Sequence, residues 1–275
     1  MTQIQNRPES EHQAWRRARL RQVSAPAGNI ALVAYQPVSE RQERLDGFPV
    51  LVRRDAETTG VLLTPTGPGA GLAPASGAVP RPLTEETAMA RLAPDGGPLL
   101  VYGTRTADAF SLDGSDYEMR VYDSASPRLA AFRGIEVAPY DPAFVLTGCL
   151  RRYADAQRVP WEFTRVSDSG HLKAVPGVLE LRIAGQDCRF TLFSDGSDSV
   201  LVFADATTGS ESYAPGRFLR IPASQVQGDR VVVDFNYAIV PPCGFSDFYS
   251  CPIPPAENRV AAPVRAGEMR SVFAR

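Results

Sequence analysis

The sequence predicts a mainly β protein: an antiparallel barrel or sandwich-like single domain with one or two short helices on its N-terminal side. Three observations carry that expectation. Short segments rich in Val, Phe and Tyr recur along the 275 residues. Tight-turn dipeptides separate them, among them Asp113-Gly114, Asp195-Gly196 and Gly228-Asp229. Helical periodicity is confined to the first third of the chain. Short strands joined by tight turns belong to sandwiches and barrels rather than to βαβ units.

In chain order, residues 9–23 give the first helix. Ser10 can cap it, and the segment that follows lacks Gly and Pro. Trp15, Ala18 and Leu20 are its docking side chains. Strands are expected at Ile30–Tyr35, Phe48–Arg53, Gly60–Thr64, Leu99–Thr104, Tyr117–Tyr122, Phe144–Arg151 and Trp161–Val166. Further strands follow at Val178–Ile183, Cys188–Phe193, Ser199–Ala204, Arg217–Ile221 and Arg230–Phe235. A second helix is placed at Thr84–Leu92, with Thr84 as cap and Glu85 and Glu86 in its first turn. Residues 65–82 are rich in Pro and Gly and read as a long loop without a regular element. A domain break can fall there, but one domain over 1–275 is the preferred reading.

Composition narrows the function. A net charge of −2 lacks the basic footprint of a nucleic-acid binder. No apolar run approaches the ~20 residues of a membrane helix. The polar N-terminus does not read as a secretory signal, so a cytoplasmic protein is expected, with reduced thiols at Cys149, Cys188, Cys243 and Cys251. His12 and His171 are the only histidines, so neither a His-rich metal site nor another cofactor site is expected.

The chemistry concentrates in residues 199–270. Strand alternation puts Leu201, Phe203 and Asp205 on one face, and Val232, Asp234 and Asn236 on another. Arg217, four residues after Tyr213, can brace Asp205 or Asp234, or hold an anion. Gly216 supplies a positive φ or a close backbone approach. Structural roles compete throughout: Asp205 suits an Asx turn, and Asp234 with Asn236 can tie down the Pro-Pro-Cys-Gly loop. Cys243 and Cys251 fit two inert buried thiols, a redox-labile pair, or a nucleophile at Cys243. The stiff run Pro252–Pro255 positions Glu257 and Asn258, while Glu268 comes from the terminal strand.

These residues resemble a bacterial family catalogued as domain of unknown function 1684. The resemblance rests on Asp205, Thr207, Gly209, Tyr213, Gly216 and Arg217. It continues through Asp234, Phe235, Asn236, Ala238, Pro241, Cys243, Cys251, Pro252, Pro254, Pro255, Glu257, Asn258 and Glu268. Looser matches are a W-R-x-x-R-L-like opening at Trp15–Leu20 and the segment F-R-G-I-E-V-A-P-Y after Tyr122–Pro127. Ile239-Val240 stand where the family has Tyr-Asn, which implies a more apolar site. The resemblance implies a location but no activity.

The expected function is binding of a small, mostly apolar organic molecule, with metal-free acid–base chemistry such as isomerisation, cyclisation or hydrolysis. Asp205 or Asp234 would be general base or acid, and Tyr213 proton donor or orienting group. Arg217, Asn236, Glu257 and Asn258 would contact the substrate. The alternatives are a binding module without catalysis and a purely structural polar network. A homodimer is left open.

Overall fold

Alternation of apolar and polar side chains sets the first half of the chain into antiparallel ladders. The computed structural model describes residues 9–55, 60–74, 79–90, 98–111, 116–165 and 170–274. Within it are β1 (Leu32–Val38), β2 (Glu43–Arg44), β3 (Val50–Asp55), β4 (Gly60–Pro65) and β5 (Gly71–Ala73). β6 (Arg81–Pro82), β7 (Thr87–Ala90), β8 (Leu99–Tyr102), β9 (Arg105–Phe110) and β10 (Tyr117–Asp123) follow. One sheet has the order β1-β10-β9-β8-β5-β6, and a second has β2-β3-β4-β7. Val50, Val52, Val61, Leu63 and Met89 of the second sheet share one buried cluster with Leu100, Ala107, Met119 and Val121 of the first. Residues two apart on a strand point the same way, so each ladder contributes a single apolar face to this cluster.

The second half carries the site. The N-terminal helix α1 (Glu9–Val23) joins it, and its own elements begin with β11 (Phe132–Val137), β12 (Val145–Pro160), β13 (Leu172–Ile183) and β14 (Gln186–Thr191). They continue with β15 (Phe193–Asp195), β16 (Asp198–Phe203), β17 (Arg217–Ile221), β18 (Val226–Gln227), β19 (Arg230–Asp234) and β20 (Glu268–Phe273). Three sheets result, ordered β14-β13-β12-β19-β18, β15-β16-β17 and β11-β20. Their shared core includes Leu179, Phe190, Leu201, Phe203, Leu219, Val231 and Val233, with Trp15 of α1 packed at its margin. Between Asp234 and Glu268 the backbone turns through single 3-10 turns at Phe235–Tyr237, Pro242–Gly244 and Ala256–Asn258.

The chain divides into two compact units, Gln22–Ala130 on one hand and Met1–Arg21 with Ala131–Arg275 on the other. Residues 65–82 fall inside the first of these. The fold is mainly β and antiparallel, but none of the sheets closes on itself among the described residues. The barrel alternative is therefore corrected.

Several local expectations also change. Residues 65–82 contain β5 and β6, paired to each other, with β5 also paired to β8. The proline of β6 is accommodated because that strand lies at the sheet edge, where a missing N–H breaks no ladder. Within the segment expected as a helix at Thr84–Leu92, Thr87–Ala90 form β7 instead, paired to β4 with Val61 opposite Met89. Burial of Met89 in the core outweighs a weak helical propensity. Leu99–Thr104 is the first arm of a hairpin that turns at Gly103, where φ is +60°. β12 runs on from Leu150 to Pro160, although Arg151–Arg158 are exposed and show no apolar alternation; pairing with β13 up to Arg152 and again from Gln157 to Pro160, on either side of a register shift, sustains it. Trp161 follows that strand, and among the described residues from Trp161 to Arg165 only Phe163 bridges, to Pro252. The Asp113-Gly114 turn, Leu92 and Val166 lie outside the described residues.

Candidate functional site

Asp205 leaves the end of β16, and Arg217 opens β17. Both side chains are 0 % exposed, and Arg217 Nη2 donates to Asp205 Oδ2 at 2.7 Å. The guanidinium also donates to the carbonyls of Val264 (2.6 Å) and Ala266 (2.7 Å), and its face lies over the Phe203 ring. Burial lowers the Arg217 pKa, while Asp205 opposes the shift. Asp205 Oδ1 accepts from the amides of Thr207 (2.8 Å) and Val264 (3.2 Å), which makes it an Asx turn as well as a counter-ion. The pair thus knits three chain segments together, and no face of either charge meets solvent. Gly216 is required beside it: φ is +106°, and a Cβ would fall 2.6 Å from the Phe203 carbonyl oxygen.

The other expected residues are engaged in the same way. Asp234 Oδ1 accepts from the Asn236 amide at 3.0 Å and so caps the turn Phe235–Tyr237. Asn236, wholly buried, pairs in both directions with the backbone of Asp141. Asn258, also wholly buried, accepts from the Thr191 amide and donates to the carbonyls of Thr191 and Val202. Glu257 is exposed; it accepts from the Thr191 hydroxyl at 2.7 Å beside an open cleft of about 410 Å³ lined also by Trp161, Ile253 and Arg259. Tyr213 lies apart from these carboxylates, against Cys243: its hydroxyl bonds the Cys243 sulfur, and burial, then that thiol, push its pKa up. The residues singled out in the sequence therefore meet at separate points rather than around one cavity.

A different set converges on a cleft of about 300 Å³. Its lining comprises Gln13, Arg16, Arg17 and Leu20 of α1, Gly134, Ile135 and Val137 of β11, and Glu268 at the start of β20. Glu268 is only 2 % exposed. Its Oε1 takes the Arg19 Nε at 3.2 Å, and its Oε2 takes the Val240 amide at 2.9 Å. Burial raises the Glu268 pKa, with Arg19 and Arg16 opposing. Arg19 also donates to the Val240 carbonyl at 3.1 Å. Gly267, at φ +71°, lets the chain pass the Ala238 carbonyl where a Cβ would sit 2.6 Å away. The β11–β20 ladder slips register beside the cleft, between Phe132 and Gly134 and between Glu136 and Val137. Such bulges re-aim side chains and recur next to sites.

The helix reaches this position through one face. His12 is 1 % exposed, and its Nε2–H donates to the Asn236 carbonyl at 2.8 Å, with Trp15 and Tyr237 against its ring. Trp15 in turn meets Tyr237. His12, Trp15 and Arg19 stand three and four residues apart, the spacing of one helical face. Trp15 docks as the sequence led one to expect, whereas His12 and Arg19 escaped an apolar pattern because both are polar. Leu20, expected to dock the helix, is 42 % exposed at the cleft, and Ala18 is exposed. Ser10 lies within the helix, which begins at Glu9. The signal that would have found the cleft was the W-R-x-x-R-L opening taken together with the closing Ala-Gly-Glu.

Among the described residues no group of three His, Cys, Asp or Glu can hold a metal ion, and no helix is long and apolar enough to cross a membrane. No curated protein matches the chain. A solution NMR structure of an uncharacterised protein from Haloarcula marismortui is similar to it, at 29% identity over 50% of this chain and 77% of that one, with a TM-score of 0.42. The model of the family described as "Protein of unknown function (DUF1684)" matches residues 130–269, half of the chain. The chain belongs to that family.

Proposed function

We propose that the protein binds a small organic anion in the cleft between α1 and the β11–β20 ladder, with Glu268 as the acid–base group beneath it. One observation carries the reading: a carboxyl almost wholly withdrawn from water lines a cleft whose rim is cationic. Perturbed carboxyls of this kind concentrate at functional sites. Arg16 and Arg17 suit a carboxylate or similar anion, while Leu20, Ile135 and Val137 suit an apolar body. The three segments that form the cleft, Trp15–Leu20, Phe132–Val137 and Ala266–Glu268, are ones that carry the family resemblance.

A second reading, binding without chemistry, has its own support. Both Glu268 oxygens already accept hydrogen bonds, from Arg19 and from the Val240 amide, which holds the group in place rather than free for proton transfer. The two readings are separated by one experiment. A panel of aliphatic and aromatic carboxylates is screened for a concentration-dependent rise in Tm. Arg16→Ala and Arg17→Ala should each weaken binding about tenfold, or 1.4 kcal/mol. Glu268→Gln should keep binding and, on the first reading, lose turnover of the bound compound. A Tm rise of equal size in the double arginine variant, or none with any compound, defeats both.

A further inference from the structure

Cys243 and Cys251 stand together although eight residues separate them. Cys243 lies on the turn Pro242–Gly244, and its amide donates to Cys251 Sγ at 3.3 Å. The Cys251 thiol and the Tyr213 hydroxyl both bond the Cys243 sulfur. These contacts, Cys251's first, hold the Cys243 thiol below its ordinary pKa against the opposing effect of burial. Cys251 is fixed from the other side: its amide donates to Thr164 Oγ1 at 2.9 Å and its carbonyl accepts from the Thr164 amide at 2.8 Å. The pair is unbridged, with Cys243 8 % and Cys251 3 % exposed. Cys188, by contrast, has its pKa raised by burial.

We propose that Cys243 and Cys251 form a dithiol that reacts with hydroperoxides and closes reversibly to a disulfide, the Tyr213 hydroxyl steadying the Cys243 thiolate. The thiolate is the nucleophile in such chemistry, and donors that stabilise it raise its fraction at neutral pH. In the first step the Cys243 sulfur attacks one peroxide oxygen, the O–O bond breaks, and the departing oxide takes a proton to leave as water or an alcohol. Cys243 is then a sulfenic acid. In the second step the Cys251 sulfur attacks it, an S–S bond forms, and the hydroxyl leaves as water with the Cys251 proton. The two thiols lose two electrons and the peroxide gains them. A thiol reductant reverses the state. This site shares no residue with the cleft, so it stands or falls apart from the binding reading.

The test uses the full chain in native buffer. The protein is treated with hydrogen peroxide, quenched, unfolded and alkylated, and then read by intact mass and peptide mapping. The expected product is lighter by two hydrogens, with Cys243 and Cys251 protected from alkylation, Cys149 and Cys188 alkylated, and full reversal by dithiothreitol. Cys251→Ser should stop at a sulfenic acid on Cys243 that dimedone captures. Tyr213→Phe should slow the peroxide step about tenfold, and an unchanged rate there overturns the tyrosine's part. Peroxide treatment of the wild-type protein that leaves Cys243 and Cys251 alkylatable, or that oxidises the four cysteines at one common rate, overturns the proposal without recourse to any variant.

Discussion

Asp205 and Arg217 are each withdrawn completely from water, so removing one strands the other. Breaking a buried pair from one side costs about 3–5 kcal/mol, because the remaining charge loses its partner in a poorly solvating interior. Asp205→Asn should therefore lower the free energy of unfolding by that much, read as a lower urea midpoint at unchanged m-value. Glu211→Gln, which breaks the exposed bidentate pair with Arg265, should leave the midpoint almost where it was, because solvent screens that pair. Equal losses would show that burial is not what distinguishes the two pairs. Asp108, on β9, gives a pH effect of definite sign. Burial, countered by Arg120 and the Tyr122 hydroxyl and reinforced by Glu118, raises its pKa from 3.8 to about 6. The folded state then holds a proton that the unfolded chain releases. Its contribution is present below the unfolded value and disappears as pH rises through about 6. Asp108→Asn should flatten that fall, on the order of 2–3 kcal/mol, in melts taken between about pH 4 and 7. Persistence of the fall in the variant would assign it elsewhere. At this scale the sequence showed which acids and which arginine matter, by their alternation and spacing. It did not show that Arg217 chooses Asp205 over Asp234, because that choice depends on where loops far along the chain bring their carbonyls.

α1 shows what pattern reading catches and what it loses. An uninterrupted run without Gly or Pro marked the helix, yet the buried face is His12, Trp15 and Arg19, and an apolar count scores only one of them. β7 is the converse: an acidic stretch after Thr84 satisfied the rules for a helix start, but pairing with β4 decided its form. The buried histidine makes the helix sensitive to acid. Burial lowers its pKa, helped by Arg16 and opposed by the hydrogen bond to Asn236 and by Asp234 and Glu9. A folded-state value below the unfolded one means the contribution of His12 to docking is complete above the ordinary histidine range and is lost as pH falls through it. Trp15 emission, read with Trp161 replaced by Phe, should shift between about pH 7 and 5, while the far-UV signal of the strands holds. In His12→Gln that step should vanish; a step that survives would point to another group.

Across the whole molecule, short strands and turns were legible because each is written in a few neighbouring residues. Sheet order was not. β5 lies between β6 and β8, and β12 between β13 and β19, and no local signal specifies such partners. The cleft at Glu268 was hidden for the same reason, since its walls come from three segments that are distant in sequence. Each unit owns a separate hydrophobic cluster, so core damage should read out locally. Leu100→Ala removes a fully buried side chain from the first cluster and should cost about 2–5 kcal/mol. Hydrogen exchange should accelerate in peptides from β8, β9 and β10. Unchanged protection there would show that this cluster does not stabilise those strands.

The distance between Arg19 and Glu268 along the chain, 249 residues, sets a schedule for synthesis. At roughly 5–20 residues per second, the arginine emerges from the ribosome about 12 to 50 s before its carboxylate exists. Throughout that interval α1 has no β20 to lie against. A strongly apolar helix would spend the wait as a target for aggregation or chaperones. The Arg-rich sequence of α1 is suited to waiting in water, and it exchanges solvent for Glu268 only when the far strand arrives.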